Sequence, residues 1–325
     1  MLYYVSNTLD PTYNIATEYY LFHKYDQPVL YLWINGPSIV VGKHQNTIEE
    51  INAKFVKDND IEVCRRVSGG GTVYHDEGNL NYTIMANDGQ RKIDYITFSR
   101  PIIDALEAMG VHASCDSRNS MTVDGFKICG HAQYITKKRT MHHGCLLFNS
   151  DLTVLEKALI VSKDKIKSKS IKSVRSQVRN ISEFLERGYT MDDFKRFILD
   201  SIQETYGQNE AVIFSEEDHK AIEALRSEKF TGWQWVYGNS PPFNLKRKRL
   251  LPEGDFEVRL TIKNGCINDL HFYGDFFGVS GVEEIEKALL GVRYEEETLK
   301  KVLETIDVQS VFQVKKEQFL TLIVD

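Results

Sequence analysis

Apolar and polar positions in the first part of the chain follow helical spacing in some stretches and strand spacing in others. LDPTYNIATEYYLFHKY places Asp10 at an N-cap and Pro11 at the first helical position, which predicts a helix over residues 11–25. The runs VLYLWIN and SIVVGK are β-branched and aromatic, and the NGP at 35–37 between them predicts a hairpin. A further helix is expected over about 48–59.

Strand and helix patterns also organise the middle of the chain. IEVCRRV and NLNYTIM roughly alternate apolar and polar residues, so the glycine-rich stretch between them is predicted to be a turn between strands. FSRPIIDALEAMG predicts a helix ended by Gly110, and Asp124-Gly125 between strand-like runs predicts a second hairpin. Lys127 begins the returning strand, MHHGCLLFN adds another strand, and TMDDFKRFILDSIQETYG predicts a helix capped by Thr190.

The last part of the chain changes character after one more predicted helix, over about 216–227. YGNSPPFNL is rich in turn-forming residues and is typical of a linker. Beyond it, FEVRLTIKNGCINDLHFYG predicts a hairpin around Asn264-Gly265, and GVEEIEKALLG and EEETLKKVLETI predict amphipathic helices. We therefore expect a small second domain after the linker.

Composition narrows the class of protein. Of the 325 residues, 26% are charged and 42% hydrophobic, and the formal net charge of -6 argues against a general nucleic-acid binder. No apolar run is long enough to span a bilayer, and no secretory signal is recognisable. We expect a cytoplasmic protein without nucleic-acid or membrane partners. The cysteines fit this reduced setting because they are odd in number and lack CxxC spacing: Cys64, Cys115, Cys129, Cys145 and Cys266.

The stretch RRVSGGGTVYHD, residues 65–76, carries the strongest chemical signal. Three consecutive glycines remove every Cβ and allow positive φ, so successive amides can turn toward one bound group. The stretch lacks the GK[ST] ending of a Walker A loop, and the strand that follows it excludes a Rossmann GxGxxG. A backbone nest for a phosphate or acyl phosphate and simple hairpin geometry both remain open.

Four ordered motifs carry a family resemblance. RRVSGGGTVYHDEGNLNYT, DGFKICGHAQ, MHHGCLLFNSDL and IKSVRSQVRN together resemble the lipoate-protein ligases of the biotin/lipoate ligase superfamily. The resemblance runs from the N-terminal helix to about residue 245. It implies an α+β catalytic domain over residues 1–244, with a mixed, largely antiparallel sheet and flanking helices. A small α+β accessory domain is expected over residues 245–325.

The resemblance also implies a two-step reaction. Lipoate and ATP, with Mg²⁺ offsetting the triphosphate charge, give enzyme-held lipoyl-AMP and pyrophosphate. A lysine of an acceptor lipoyl domain then attacks the mixed anhydride; the acceptor is a 2-oxoacid dehydrogenase E2 subunit or a glycine-cleavage H-like protein. Because the first step joins two anions, it needs a fixed cation. Lys127 matches the family lysine of the K-[IV]-x-G-x-A stretch and is the expected catalytic residue.

The same match implies the remaining site residues. Arg66 matches the second arginine of the family pair, whereas Arg65 is expected to be structural. His75 either donates a hydrogen bond to the acyl or phosphate end or is satisfied by Asp76. The expected ATP-binding residues are Arg66, Gly71, Thr72, Val73, Tyr74, Lys127, Lys172 and Arg175. The expected lipoate-binding residues are Arg66, Gly69, Gly70, Gly71, His75 and Lys127.

Two further regions complete the expected site. The run SKDKIKSKSIKSVRSQVRN, residues 162–180, is predicted to be a surface segment and resembles a family loop that folds over the adenylate. A solvated charge run is the alternative interpretation. The apolar lipoyl tail is expected to lie in a slot lined by the strands LYLWIN and LNYTIM.

Three positions depart from the family pattern. Ser120 stands where the family has a carboxylate near the nucleotide or metal, so the metal ligands are unknown; Cys129 replaces a common serine, and His131 replaces Ser, Thr or Asn. An ATP-independent acyltransferase working through a thioester at Cys129 or Cys145 is therefore a rival hypothesis. A third hypothesis is a catalytically weak binder of lipoyl domains or lipoyl-AMP.

Overall fold

The computed structural model of the chain describes residues 1–87, 94–115, 119–159, 167–168, 177–207, 210–240, 242–251, 254–274, 282–312 and 314–324. In that part of the chain, no helix has the length and apolar character needed to cross a membrane. The described residues form two compact units. The first contains residues 1–43, 55–159 and 177–232, and the second contains residues 44–54, 167–168 and 233–324.

Strands and helices alternate irregularly along the chain. The strands are β1 (Leu2–Val5), β2 (Val29–Trp33), β3 (Ser38–Val41), β4 (Glu62–Arg65), β5 (Val73–His75), β6 (Asn79–Ala86), β7 (Ser114–Cys115), β8 (Ser120–Val123), β9 (Phe126–Ile135), β10 (Thr140–Leu147), β11 (Lys167–Ser168), β12 (Glu210–Ala211), β13 (Phe243–Leu251), β14 (Gly254–Lys263) and β15 (Cys266–Gly274). The α-helices are α1 (Pro11–Lys24), α2 (Thr47–Glu50), α3 (Ala53–Asp58), α4 (Tyr95–Ala108), α5 (Leu152–Ala158), α6 (Met191–Tyr206), α7 (Glu216–Leu225), α8 (Val282–Leu289), α9 (Glu296–Glu304), α10 (Val308–Phe312) and α11 (Lys316–Val324).

Local chemistry explains several predicted elements. Helix α1 begins after Asp10, whose carboxylate accepts hydrogen bonds from the backbone amides of Thr12 and Tyr13, both at 2.9 Å. The hairpin between β8 and β9 turns at Asp124-Gly125, where φ is 50° and 81°. Positive φ at both positions is the type I′ geometry that Asp-Gly favours, which confirms this hairpin. Asn264-Gly265, with φ of 53° and 71°, makes the same turn between β14 and β15.

The main sheet of the first unit has the order β12-β1-β2-β6-β10-β9-β8-β7. Strand β1 runs parallel to β12 and β2, and the pairs from β2 to β7 are antiparallel. The mixed, largely antiparallel sheet expected from the sequence is therefore confirmed.

The register of this sheet defines two faces. One row of paired residues crosses the central strands as Tyr31, Thr83, His143 and Ala132, and we call the side it occupies the front face. The neighbouring row, on the back face, contains Leu32, Tyr82, Gly144 and His131. The back face packs against α4 and α6 in a continuous apolar cluster that includes Ile102, Leu106, Phe194 and Ile198. The front face is contacted by α1 and by the glycine stretch.

Two predictions for residues 35–59 were wrong. Strands β2 and β3 form no hairpin, because β3 leaves the main sheet and lies between β4 and β5 in a separate three-stranded sheet. The amide of Gly36 donates to the carbonyl of Leu9 at 2.8 Å, so the turn is fixed to another segment and does not close on β2. The single helix expected over 48–59 is two short helices, since the chain is extended at Ile51, where φ is -117°.

The second unit has a sheet of order β11-β13-β14-β15. Its inner face packs against α8 to α11 in a separate apolar core that includes Phe256, Leu260, Leu299, Phe312 and Phe319. The predicted hairpin at 264–265 and the two predicted helices, now α8 and α9, are confirmed. Helices α10 and α11 were not predicted.

Candidate functional site

The buried guanidinium of Arg66 binds the glycine loop, which we define as residues 68–72. Arg66 is 7% exposed, and its Nη2 donates to the carbonyls of Gly69 and Gly71 at 2.6 and 2.7 Å. Its Nη1 donates to the carbonyl of Val40 at 3.0 Å. Burial lowers the pKa of Arg66 to about 10, so this side chain is still charged at neutral pH. Arg66 therefore binds the carbonyl side of the loop.

The opposite edge of the loop is open. Within the described residues, the backbone amides of Gly69, Gly70 and Gly71 donate to no protein acceptor. Gly70 has φ of +88°, and a Cβ there would lie 3.0 Å from Arg66 Nη2 and 3.6 Å from Ala132 Cβ. The loop thus needs glycine for both conformation and space, and it lies directly over the front face. Free amides above a buried cation are suited to binding an anion.

A buried polar chain links Arg66 to helix α1. Arg66 Nε donates to Ser68 Oγ at 3.0 Å, Ser68 Oγ lies 2.6 Å from His143 Nε2, and His143 Nδ1 lies 2.7 Å from Glu18 Oε1. Thr83 donates its hydroxyl to the same Glu18 oxygen at 2.5 Å. Glu18 is 1% and Ser68 1% exposed. We call these five residues the Glu18 relay; it satisfies a buried carboxylate and fixes the base of the glycine loop.

Lys127 supplies a second cation on the front face. It lies on β9, where its backbone pairs with residues 177–179, and its Cε and Nζ stand 3.3 and 3.4 Å from the position of a Cβ on Gly130. Gly130 and Ala132 are two residues apart on β9 and therefore lie on the same face of the sheet. Ala132 is the residue that a Cβ on Gly70 would contact, so Lys127 lies on the same face as the glycine loop. In the described residues Lys127 forms no ion pair. Its ammonium is therefore available to a ligand beside the loop.

His75 has a side-chain partner, but not the expected one. Its Nδ1 lies 3.0 Å from Asn35 Nδ2, whereas Asp76 accepts from the backbone amides of Gly78 and Asp151 at 2.9 and 2.7 Å. Burial lowers the pKa of His75 to about 3, with Arg66 and His143 as further causes, so the imidazole is neutral. Its Nε2 is buried and has no hydrogen-bond partner in the described chain.

Comparisons with known proteins agree on one family. The model of the lipoyl protein ligase A/B catalytic domain matches residues 10–203, and that of the bacterial lipoate protein ligase C-terminus matches residues 240–323. The chain belongs to the lipoate-protein ligase family. It is similar to lipoate-protein ligase LplJ of Bacillus subtilis, with 44% identity covering 98% of both chains. It is also similar to lipoate-protein ligase 1 of Staphylococcus aureus, with 39% identity covering 94% of both chains.

Solved structures of lipoate-protein ligases share the fold. P. falciparum LipL1, solved in complex with lipoate, superposes with a TM-score of 0.62 at 25% identity, covering 98% of this chain and 97% of that one. A lipoate-protein ligase A bound with ATP gives a TM-score of 0.60 at 20% identity, covering 74% of this chain and all of that one, and supports the fold alone. The α+β ligase fold expected from the sequence is thus confirmed.

The positions that depart from the usual ligase pattern lie on different faces. Ser120 pairs with Gly130 and lies on the front face, so a hydroxyl, not a carboxylate, stands near Lys127. His131 lies on the back face beneath α4, where its ring is 5.1 Å from that of His142 and its Nδ1 is 3.5 Å from Ser99 Oγ. The His131 substitution is therefore not at the glycine loop.

The cysteines do not suit the thioester alternative. Cys129 is fully buried in the back-face core, and burial raises its pKa well above that of a free thiol. Cys145 faces the front, but burial raises its pKa as well. The thiolate is the nucleophilic form, and both environments disfavour it.

In the described residues no cluster of three or more His, Cys, Asp or Glu side chains could hold a metal ion.

Most of the predicted site residues lie around the loop. Thr72 is 7% exposed at its end, and Val73 and Tyr74 continue into β5, where they pair with Val40 and Ile39. Arg65 is fully buried and donates to the carbonyls of Gly42 and Lys43. Lys172, Arg175 and most of the basic run lie outside the described residues.

The sequence analysis did not identify Glu18, Asn35 or the role of His143 as parts of the site. The His142-His143 pair does lie within the motif MHHGCLLFN.

Proposed function

We propose that this chain is an ATP-dependent lipoate-protein ligase that forms lipoyl-AMP and transfers the lipoyl group to a lysine of an acceptor lipoyl domain. The observation that carries the proposal is the glycine loop. Arg66 binds the carbonyls of Gly69 and Gly71, the amides of the three glycines have no acceptor in the described chain, and Lys127 is on the same face. Full-length similarity to lipoate-protein ligases supports the same activity.

In the first step, a carboxylate oxygen of lipoate attacks the α-phosphorus of ATP. The bond from that phosphorus to the bridging oxygen breaks, and pyrophosphate leaves. Lys127 offsets the repulsion between the carboxylate and the phosphate and the charge that grows at phosphorus. The amides of Gly69, Gly70 and Gly71 bind the oxygens of the acyl phosphate. Thr72, Val73 and Tyr74 extend this binding along the nucleotide.

In the second step, the neutral amine of the acceptor lysine attacks the carbonyl carbon of lipoyl-AMP. The bond from this carbon to the phosphate oxygen breaks, AMP leaves, and the nitrogen loses a proton to solvent. Negative charge develops on the carbonyl oxygen as the tetrahedral intermediate forms. His75 donates a hydrogen bond from Nε2 to the acyl end, and Arg66 acts mainly by holding the loop in place. Acceptors in this proposal are E2 lipoyl domains or a glycine-cleavage H-like protein.

The lipoyl tail lies along the front face in this proposal. On that face the side chains of Tyr31 and Trp33 stack with ring centroids 4.5 Å apart, and the neighbouring strands carry Met85 on β6 and Met141 on β10. An apolar wall of this kind suits an uncharged acyl chain and a dithiolane ring.

A mass measurement tests the function directly. Purified chain is incubated with lipoate, ATP, Mg²⁺ and an isolated lipoyl domain, and the domain is weighed by mass spectrometry. We expect the mass increase of one lipoyl group only when ATP is present. An acceptor with its target lysine replaced by methionine is the control and should stay unmodified. Modification from a lipoyl thioester donor without ATP would instead support the acyltransferase, and tight acceptor binding without pyrophosphate release would support the weak binder.

A further inference from the structure

A chain of two buried asparagines ends at His75. Asn14 Nδ2 donates to the backbone carbonyls of Thr8 and Ile34 at 3.0 and 3.1 Å, so this atom must be the nitrogen of its amide. The same nitrogen lies 2.9 Å from Asn35 Oδ1. Both asparagines are fully buried. Because backbone carbonyls can only accept, the orientation of each amide follows from the one before it.

The orientation of Asn35 determines where the His75 proton is. With Oδ1 facing Asn14, Asn35 turns Nδ2 toward His75 Nδ1 at 3.0 Å. An amide nitrogen donates, so Nδ1 must be the unprotonated, accepting nitrogen of the ring. The imidazole is neutral, and its one proton is therefore on Nε2, the buried atom that has no partner in the described chain. His75 is 5% exposed, so leaving this donor unused is costly.

We infer that Asn14 and Asn35 are positioning residues that hold His75 in the Nε2-protonated tautomer. This makes the ring a fixed donor to an oxygen of the acyl adenylate and prevents it from acting as the base that deprotonates the acceptor lysine. The inference rests on the proposed function, because that function supplies the oxygen. Neither ring nitrogen can accept a proton at neutral pH, since Nδ1 is engaged by Asn35 and Nε2 already carries a proton.

Other groups near His75 agree with this assignment. Burial is the main reason that an imidazolium is disfavoured at His75, and Arg66 and His143 disfavour it further. Asp76, the adjacent carboxylate, is occupied by the amides of Gly78 and Asp151. No described carboxylate is therefore available to stabilise a proton on Nδ1.

The replacement Asn35→Asp reverses one hydrogen bond and keeps the other. The carboxylate has nearly the same shape, and it still accepts from Asn14, but it can no longer donate to His75 Nδ1. A carboxylate there instead attracts a proton to Nδ1, so Nε2 becomes an acceptor and the pKa of His75 rises. We expect long-range ¹H–¹⁵N spectra of the wild-type chain to show His75 protonated at Nε2, and those of the variant to show protonation at Nδ1.

The rate of adenylate formation should depend on which nitrogen of His75 carries the proton. In Asn35→Asp, kcat for adenylate formation should fall on the order of 10²-fold, the usual cost of losing one oxyanion donor, with little change in the KM for lipoate. The variant should also gain a pH dependence near neutrality that the wild type lacks.

A matched control exists on the back face. Gln133 Nε2 lies 3.0 Å from Nδ1 of His142, another buried histidine, so Gln133→Glu makes the same amide-to-carboxylate change beside a histidine remote from the loop. Adenylate formation should be retained in this control.

Two results would overturn the inference. One is protonation of wild-type His75 at Nδ1, which the spectra show without any variant. The other is an Asn35→Asp variant that switches the tautomer and keeps full activity. Faster lysine transfer in Asn35→Asp would support the inference, because only in the variant can Nε2 accept a proton from the acceptor lysine. If the wild-type chain makes no lipoyl-AMP, the proposed function fails, whereas the NMR result still decides the tautomer.

Discussion

The two faces of the eight-stranded sheet use alternate residues of the same strands and have opposite characters. The back face is mostly an apolar core, with Leu32, Leu146 and Phe194 of α6 in one buried cluster, and it holds a smaller polar group around His131 and His142. The front face buries charged and polar groups, including Glu18 and Arg66, and joins them in one connected chain of hydrogen bonds. A one-residue shift along each strand therefore separates the part that stabilises the fold from the part that positions the site.

This difference shows how the site is kept rigid. Buried polar groups stabilise little unless every member has a partner, but a fully paired network permits only one arrangement. The Glu18 relay fixes Ser68 and Arg66, and Arg66 in turn fixes the two loop carbonyls. The back face can accept changes in side-chain shape at a cost in stability alone, whereas the front face should lose activity before it loses its fold.

The largest effect is expected for Lys127→Ala on the front face. Without the ammonium, the carboxylate and the α-phosphate repel each other, and adenylate formation should fall on the order of 10⁴-fold. Pyrophosphate release measures this rate, and thermal unfolding should be nearly unchanged because the side chain is half-buried and makes no ion pair in the described chain. The control Lys138→Ala removes an exposed lysine at the β9–β10 turn and should keep full activity. Near-normal activity in Lys127→Ala would rule out its assigned role.

The reverse result is expected for Phe194→Ala on the back face. Phe194 is fully buried and stacks on Phe148 with ring centroids 4.5 Å apart. Its removal leaves a cavity and should lower the free energy of unfolding by about 3–5 kcal/mol, measured by urea denaturation. The turnover of the folded fraction should stay within about twofold of the wild type, because the residue does not contact the front face. A large loss of kcat in fully folded protein would contradict the separation of the two faces.

A smaller effect on activity is expected for Arg66→Lys. Lysine keeps the charge but cannot donate to Gly69, Gly71 and Ser68 at once, so the loop loses its anchor. We expect adenylate formation to fall about 10²-fold, with increased hydrogen exchange at the loop amides. The matched change Arg65→Lys should act mainly on stability, since Arg65 is fully buried and donates to the backbone carbonyls of Gly42 and Lys43, outside the glycine loop. Equal loss of activity in both variants would contradict this distinction.

The smallest effect is a difference in acid sensitivity. Burial holds the pKa of His142 well below its usual value, so the unfolded chain, with an ordinary pKa near 6.5, binds more protons than the folded one. The stability from this group is therefore present above about pH 6.5 and is lost as pH falls, by up to about 1.4 kcal/mol per pH unit. His142→Gln should show a shallower loss of stability between about pH 6.5 and 4.5 and retain adenylate formation. Parallel pH curves would show that His142 is charged in the folded state.

Local signals and long-range contacts differed in how far the sequence could predict them. The N-cap at Asp10 and the turn at Asp124-Gly125 depend on a few neighbouring residues, and both were predicted. The order of the four motifs was also enough to find the family. By contrast, Glu18 and His143 are 125 residues apart, and only the folded sheet brings them together. The predicted hairpin between β2 and β3 was wrong because the turn residues at 35–37 indicate a change of direction and not the strand with which β3 pairs.

The second compact unit contains a segment from far upstream, residues 44–54. Thr47 Oγ1 donates to the carbonyl of Val236 at 2.6 Å, and Ile48 packs against the apolar core of that unit. During synthesis this segment leaves the ribosome almost 190 residues before its partners, so it must wait for the C-terminal sheet to emerge. A fragment that starts at residue 245 would lack this upstream piece of its own core, so the unit is completed only after its C-terminal sheet has been synthesised.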